Sequence, residues 1–151
     1  MDAKHLTMEE DIYSAYSFLL DKTTQRVKQY AKKKFQELNF GITVDQWIVL
    51  KNVYAHEGIS QSELAAKAFK GMPTLTHIID LLCKKGLLKR ETDEGDRRRS
   101  SLTLTTQGRE KVEELWPKVS QIRRKAWQNL SREDFEHFKH ILDVIYNNLA
   151  I

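Results

Sequence analysis

The chain reads as a mainly α protein carrying one short β-hairpin, a class predicted by three features of its pattern. Apolar residues recur at threes and fours along both ends of the 151 residues. Between those stripes, Gly58, Gly71 and Gly86 punctuate short helical patterns. From Ser101 to Thr105 the period changes: Leu102 and Leu104 alternate with Thr103 and Thr105, as in a half-buried strand.

From Glu9 to Leu38, the residues Ile12, Tyr16, Leu19, Val27, Tyr30, Phe35 and Leu38 mark one amphipathic helix, about 45 Å long at 1.5 Å per residue. A helix of that length outruns the core of a small domain, so packing against a partner is expected. Gly41 and Thr43 separate it from the next helix, with Thr43 as N-cap. Trp47, Ile48, Leu50, Val53 and Tyr54 make the second helix a buried one, closed by Gly58. Ser60 caps a short helix from Gln61 to about Phe69, with Glu63 at capping-box spacing and Leu64, Ala65 and Ala68 facing inward. Gly71 turns the chain. Pro73 suits the first turn of a helix running through Leu75, Ile78, Ile79 and Leu82 and ended by Gly86.

The hairpin follows. Gly86 to Glu91 is its incoming arm, Thr92 to Gly95 its turn and Ser101 to Thr105 its outgoing arm, with Arg97, Arg98 and Arg99 at the tip. Beyond it, Val112, Leu115, Trp116, Val119, Ile122, Ala126 and Trp127 form a second long stripe containing Pro117, a residue able to kink it. Ser131 caps the last helix with Asp134 at its third position, and Phe135, Phe138, Ile141, Leu142, Ile145 and Leu149 line the inner face.

Two short helices followed by a cationic hairpin are the layout of a winged helix-turn-helix, here with long flanking N- and C-terminal dimerisation helices and a two-stranded β wing. The expected organisation is one compact chain: an N-terminal dimerisation helix over 1–40, a winged helix-turn-helix DNA-binding lobe over 41–105 and C-terminal dimerisation helices over 106–151. In that layout a wing reaches DNA phosphate or the minor groove.

Composition fits without deciding. A net charge of +4 is a weak argument for nucleic acid; its distribution is stronger. Lys84, Lys85, Lys89, Arg90, Arg97, Arg98 and Arg99 face Glu91, Asp93, Glu94 and Asp96 within one short window. The single cysteine, Cys83, excludes an intrachain disulfide and suits a reducing compartment. No apolar run approaches the roughly 20 residues needed to span a membrane, and no leader pattern follows Met1. A cytoplasmic protein is expected. No nucleophile–base pair, Gly-rich phosphate loop or paired cysteines occur, so neither an enzyme nor a cofactor is expected.

The run Asp96-x-Arg98, Leu102, Leu104-Thr105-x-x-Gly108 resembles the wing signature of the MarR family (multiple antibiotic resistance regulators). Ser62-Glu63-Leu64-Ala65, Pro73 to Leu82 and Lys85-Gly86-Leu87-Leu88 resemble the helix-turn-helix of the same family, and the flanking helices agree in order and length. The resemblance covers nearly the whole chain. It implies a cytoplasmic homodimer that binds double-stranded, pseudo-palindromic operator DNA, often as a ligand-relieved repressor. It also implies that Arg98 enters the minor groove with Asp96 orienting it. Where this chain has His77, many members of that family carry arginine.

Recognition helices read bases near their N-termini. The candidates there are Met72, Thr74, Thr76 and His77, with Lys67, Lys70, Arg97 and Arg99 as phosphate contacts. By the same resemblance a small aromatic or phenolic effector would sit between the dimerisation helices and the DNA-binding lobe, with Tyr13, Tyr16, Trp47 and Tyr54 as lining residues. Cys83, beside Ile79 and Leu82, reads as an inert thiol rather than an oxidant sensor. His137 and His140 have the i, i+3 spacing of two metal ligands but no marked third one, so surface histidines are expected. The alternative function is a winged-helix interaction module whose basic wing meets an acidic protein partner.

Overall fold

Four local caps and three positive-φ glycines set the element boundaries. The computed structural model describes the backbone of residues 3–93 and 96–151, and the side chains of residues 12–92 and 100–151. The order is α1 (Ala3–Glu37), α2 (Val44–Ala55), β1 (Ile59–Ser60), α3 (Gln61–Ala68), α4 (Met72–Lys84), β2 (Leu88–Asp93), β3 (Asp96–Leu104), α5 (Thr106–Lys125) and α6 (Arg132–Asn148). α1 begins six residues before the predicted start, and α5 stops just short of Ala126 and Trp127.

Capping explains most of these boundaries. Thr43 accepts from Gln46 N while the Gln46 side chain accepts from Thr43 N, a reciprocal box at the start of α2. Ser131 and Asp134 make the same box at α6. Those bonds to Ser131 hold the Asp134 carboxyl below the usual carboxylate range. At α3 only half the expected box forms: Ser60 Oγ accepts from Glu63 N. Thr105, unmarked as a cap in the sequence, accepts from Gly108 N and starts α5.

One core joins the elements. Ala31 and Phe35 of α1, Trp47, Val49, Leu50 and Val53 of α2, and Leu64 of α3 pack with Leu75, Ile78, Ile79 and Leu82 of α4. Leu88, Leu102 and Leu104 of the strands and Val112, Leu115, Val119 and Ile122 of α5 complete it. Pro117 sits on α5 without ending it. Of the described side chains of α1, those in its C-terminal part join this core, while Ile12, Leu19 and Val27 are exposed.

Two expectations need correction. The sheet has three antiparallel strands in the order β1-β3-β2, not two. Ile59 pairs with Leu102 and Ser60 with Ser101, so the root of β3 is held from both sides. A two-residue strand has no period to read, which is why the pattern hid it. The second correction is α6: Phe135, Phe138, Ile141 and Leu149 do not face an interior, and none of its residues is buried. Trp127 packs on the inner edge of α6, its ring 5.1 Å from Phe135 and 5.8 Å from Phe138.

Candidate nucleic-acid interface

α4 is fixed by one ridge and free on the other. Leu75, Ile79 and Leu82 are fully buried and Ile78 nearly so, which anchors the helix through about two turns. Met72, Thr74 and His77 are exposed. Gly71 at the N-cap supplies no side-chain acceptor, so the first-turn N–H groups, where the positive end of the helix dipole lies, remain open to an anion.

Thr76 is committed to the fold. Its hydroxyl donates to Met72 O at 2.9 Å and accepts from Gln61 Nε2 at 2.6 Å, tying the first turn of α3 to α4. Gln61 therefore links the two helices beside their shared core contacts. Nothing in the sequence marks it, because its partner lies fifteen residues on. Lys67 is exposed. Lys70 is paired: its Nζ is 2.7 Å from Asp45 Oδ1. Between them Phe69 ends α3 in the left-handed region (φ 55°) with 88% of its side chain in solvent.

The wing is braced against α4. Arg90 on β2 donates to Asp80 Oδ1 at 3.0 Å, joining the middle of α4 to the hairpin. β2 and β3 pair from Leu88↔Leu104 to Asp93↔Asp96, with an irregularity between Thr92 and Asp93. The backbone of β3 thus begins at Asp96, while the side chains of Asp96, Arg97, Arg98 and Arg99 lie outside the described residues.

Behind the wing, three chain segments converge. Thr105 Oγ1 donates to Gly86 O at 2.6 Å, and Thr105 N donates to Leu87 O at 3.2 Å. An added Cβ at Gly108 would stand 1.9 Å from Leu87 O. The end of α4, the root of β2 and the start of α5 are therefore in direct backbone contact, and only glycine fits. On the next residue of α5, Arg109 pairs with Glu57 and lies 5.4 Å from the centre of the Tyr54 ring.

The four residues expected around an effector do not meet within the chain. Trp47 is buried and packs edge-on to Trp116 at 5.8 Å; Tyr54 lies 6.3 Å from the same ring. Tyr13 and Tyr16 are exposed on α1, and Tyr16 precedes core residue Ala31 by about 22 Å along the helix. None of the four borders the groove between α1 and the α5–α6 corner. This groove of about 1520 Å³ runs between α1, the start of α2 and the α5–α6 corner, floored by Val27, Phe35, Ile48, Trp127 and Leu142. Lys28, Lys32 and Arg123 border it, while Asp134, also on its wall, is engaged by Ser131.

Cys83 is half-buried, and burial pushes its thiol up, away from the thiolate form that reacts. His137 and His140 are exposed on α6, and among the described residues no three metal-ligating side chains cluster. No described helix is long and apolar enough to cross a membrane.

Comparison with known proteins agrees with this geometry. Residues 40–99 match the MarR family. An uncharacterized HTH-type transcriptional regulator of Bacillus subtilis, YwoH, is 28% identical over 124 residues, covering 82% of this chain and 90% of its own. The crystal structure of the S. aureus MepR–DNA complex superposes with a TM-score of 0.78 at 29% identity, covering 89% of this chain and 98% of that one. A Listeria innocua protein of unknown function is 32% identical with a TM-score of 0.69, covering 95% and 99%.

Proposed function

This chain belongs to the MarR family of DNA-binding transcriptional regulators, and on that premise we propose that it is a cytoplasmic, homodimeric repressor relieved by a small ligand. The observation that carries the reading is α4, whose buried ridge leaves Met72, Thr74 and His77 in solvent beside a hairpin tipped by three arginines. MepR, similar to this chain along nearly its whole length, is held on DNA in its crystal structure.

The division of labour follows the elements. The lobe over 41–105 carries the DNA contacts. Segments 1–40 and 106–151 make the dimer, a reading supported by the exposed apolar residues of α1 and α6, Ile12, Leu19, Phe138 and Ile141 among them. Thr74 and His77 face base edges and phosphate, with Met72 at the entry. Lys67, Arg97 and Arg99 contact phosphate, and Arg98, oriented by Asp96, enters the minor groove. Lys70 reaches phosphate only by releasing Asp45, and Thr76 acts by holding α3 against α4.

The effector is a small aromatic or phenolic anion seated in the groove between α1, α2 and the α5–α6 corner, its charge met by Lys28, Lys32 or Arg123. A ligand there relieves repression only if it binds one spacing of the two lobes better than the other. Selection of duplexes from a random pool tests the reading. A specific regulator keeps its selected site against excess random DNA at about 0.15 M salt, whereas charge attraction alone does not.

A further inference from the structure

The outward face of α4 narrows to a single titratable donor. At 100° per residue from the buried ridge of Leu75, Ile78, Ile79 and Leu82, the residues pointing away from the core are Pro73, His77, Asp80 and Lys84. Pro73 has no donor. Asp80 is anionic, and its Oδ1 is occupied by Arg90. Lys84 stands at the far end of the helix. The Thr76 hydroxyl is spent on Met72 O and Gln61. Across the first two turns, then, His77 alone can place a positive charge towards the groove. It is exposed and makes no hydrogen bond or ion pair among the described residues.

Charged groups stand on α4 and on each element packed against it. On α4 itself they are Asp80 and Lys84; β2 brings Lys89, Arg90 and Glu91, α3 brings Glu63 and Lys67, and α2 brings Asp45 and Lys51, with Lys70 of the preceding turn paired to Asp45. The nearest along the helix, Asp80, already has its cation in Arg90.

We propose that His77 makes operator binding proton-linked: its imidazolium, donating from both ring nitrogens to DNA acceptors, binds more tightly than the neutral ring. The inference rests on the reading that α4 enters the major groove. Imidazole changes charge between pH 5 and 8. The negative potential of DNA favours a cationic ring over a neutral one. The added affinity is therefore present towards pH 5 and lost as pH rises towards 8. Uptake of a whole proton would change affinity tenfold per pH unit; partial uptake between pH 8 and 6 gives about five- to tenfold per recognition helix.

Fluorescence anisotropy of a selected duplex, at pH 6, 7 and 8 and constant ionic strength, tests this with the full-length protein and two variants at the exposed position. The unsubstituted protein is expected to tighten at least about fivefold from pH 8 to pH 6. His77→Gln should be flat and weak, and His77→Arg flat and tight. A flat profile in the unsubstituted protein, or a slope surviving in either variant, overturns the proposal; a surviving slope would belong to another histidine. Should no duplex be held at any pH, the operator reading fails and takes this one with it. Tight binding without a slope removes the proton linkage alone.

Discussion

Gly108→Ala tests how tightly the DNA-binding lobe is joined to α5. The new methyl would lie 1.9 Å from Leu87 O and 2.9 Å from Leu87 C, both backbone atoms. A carbon and a carbonyl oxygen normally meet at roughly 3.3 Å, so α5 and the α4–β2 turn must part by more than 1 Å, on the order of the overlap. Separation on that scale breaks the bonds from Thr105 Oγ1 to Gly86 O (2.6 Å) and from Thr105 N to Leu87 O (3.2 Å). Two bonds at about 1 kcal/mol each, with about 1–3 kcal/mol for overpacking, exceed the roughly 1 kcal/mol that alanine gains over glycine in a helix. The net loss is about 3 kcal/mol, or about 6–12 °C in Tm for a chain of this size. Thermal melts followed by circular dichroism, at one fixed protein concentration, read it directly. A melt within about 2 °C of the parent would refute the direct-contact reasoning.

Three further outcomes are expected. Phe69→Gly should raise Tm by about 2–4 °C: it relieves about 1 kcal/mol of left-handed strain and gives up a side chain that is 88% exposed. A lower Tm would mean that the ring is packed in solution. Gln61→Ala and Thr76→Val should be non-additive by about 1 kcal/mol in a urea-denaturation double-mutant cycle, since each removes the same bond; simple additivity would contradict that link. Arg97→Ala with Arg99→Ala should reduce the log–log salt slope of DNA binding by about 0.9 per lost phosphate contact. An unchanged slope would remove both arginines from the phosphate backbone.

Local chemistry was legible in the sequence. Thr43, Ser60 and Ser131 announce their helices because each cap satisfies backbone donors within three residues. The buried ridge of α4 follows from periodicity alone. What stayed hidden depends on residues brought together from far along the chain. β1 is defined only by its pairing with β3. The Thr76 hydroxyl looks free until Gln61 reaches it, and Lys70 looks free until Asp45 does. Tyr13, Tyr16, Trp47 and Tyr54 share aromatic character, but the length of α1 separates the first two from the others. The stripe on α6 is plainly apolar in the sequence; period cannot say whether such a face meets its own core or another chain.

Two copies of this lobe reading DNA together through α4 and the wing should leave a paired footprint. Footprinting on a selected duplex tests it most directly. The account predicts two protected half-sites with centres about 34–36 Å apart, one helical turn or a multiple of it, and loss of both on replacing Thr74 and His77 with alanine. Protection of a single unpaired patch, or an unchanged footprint in that double variant, would contradict it.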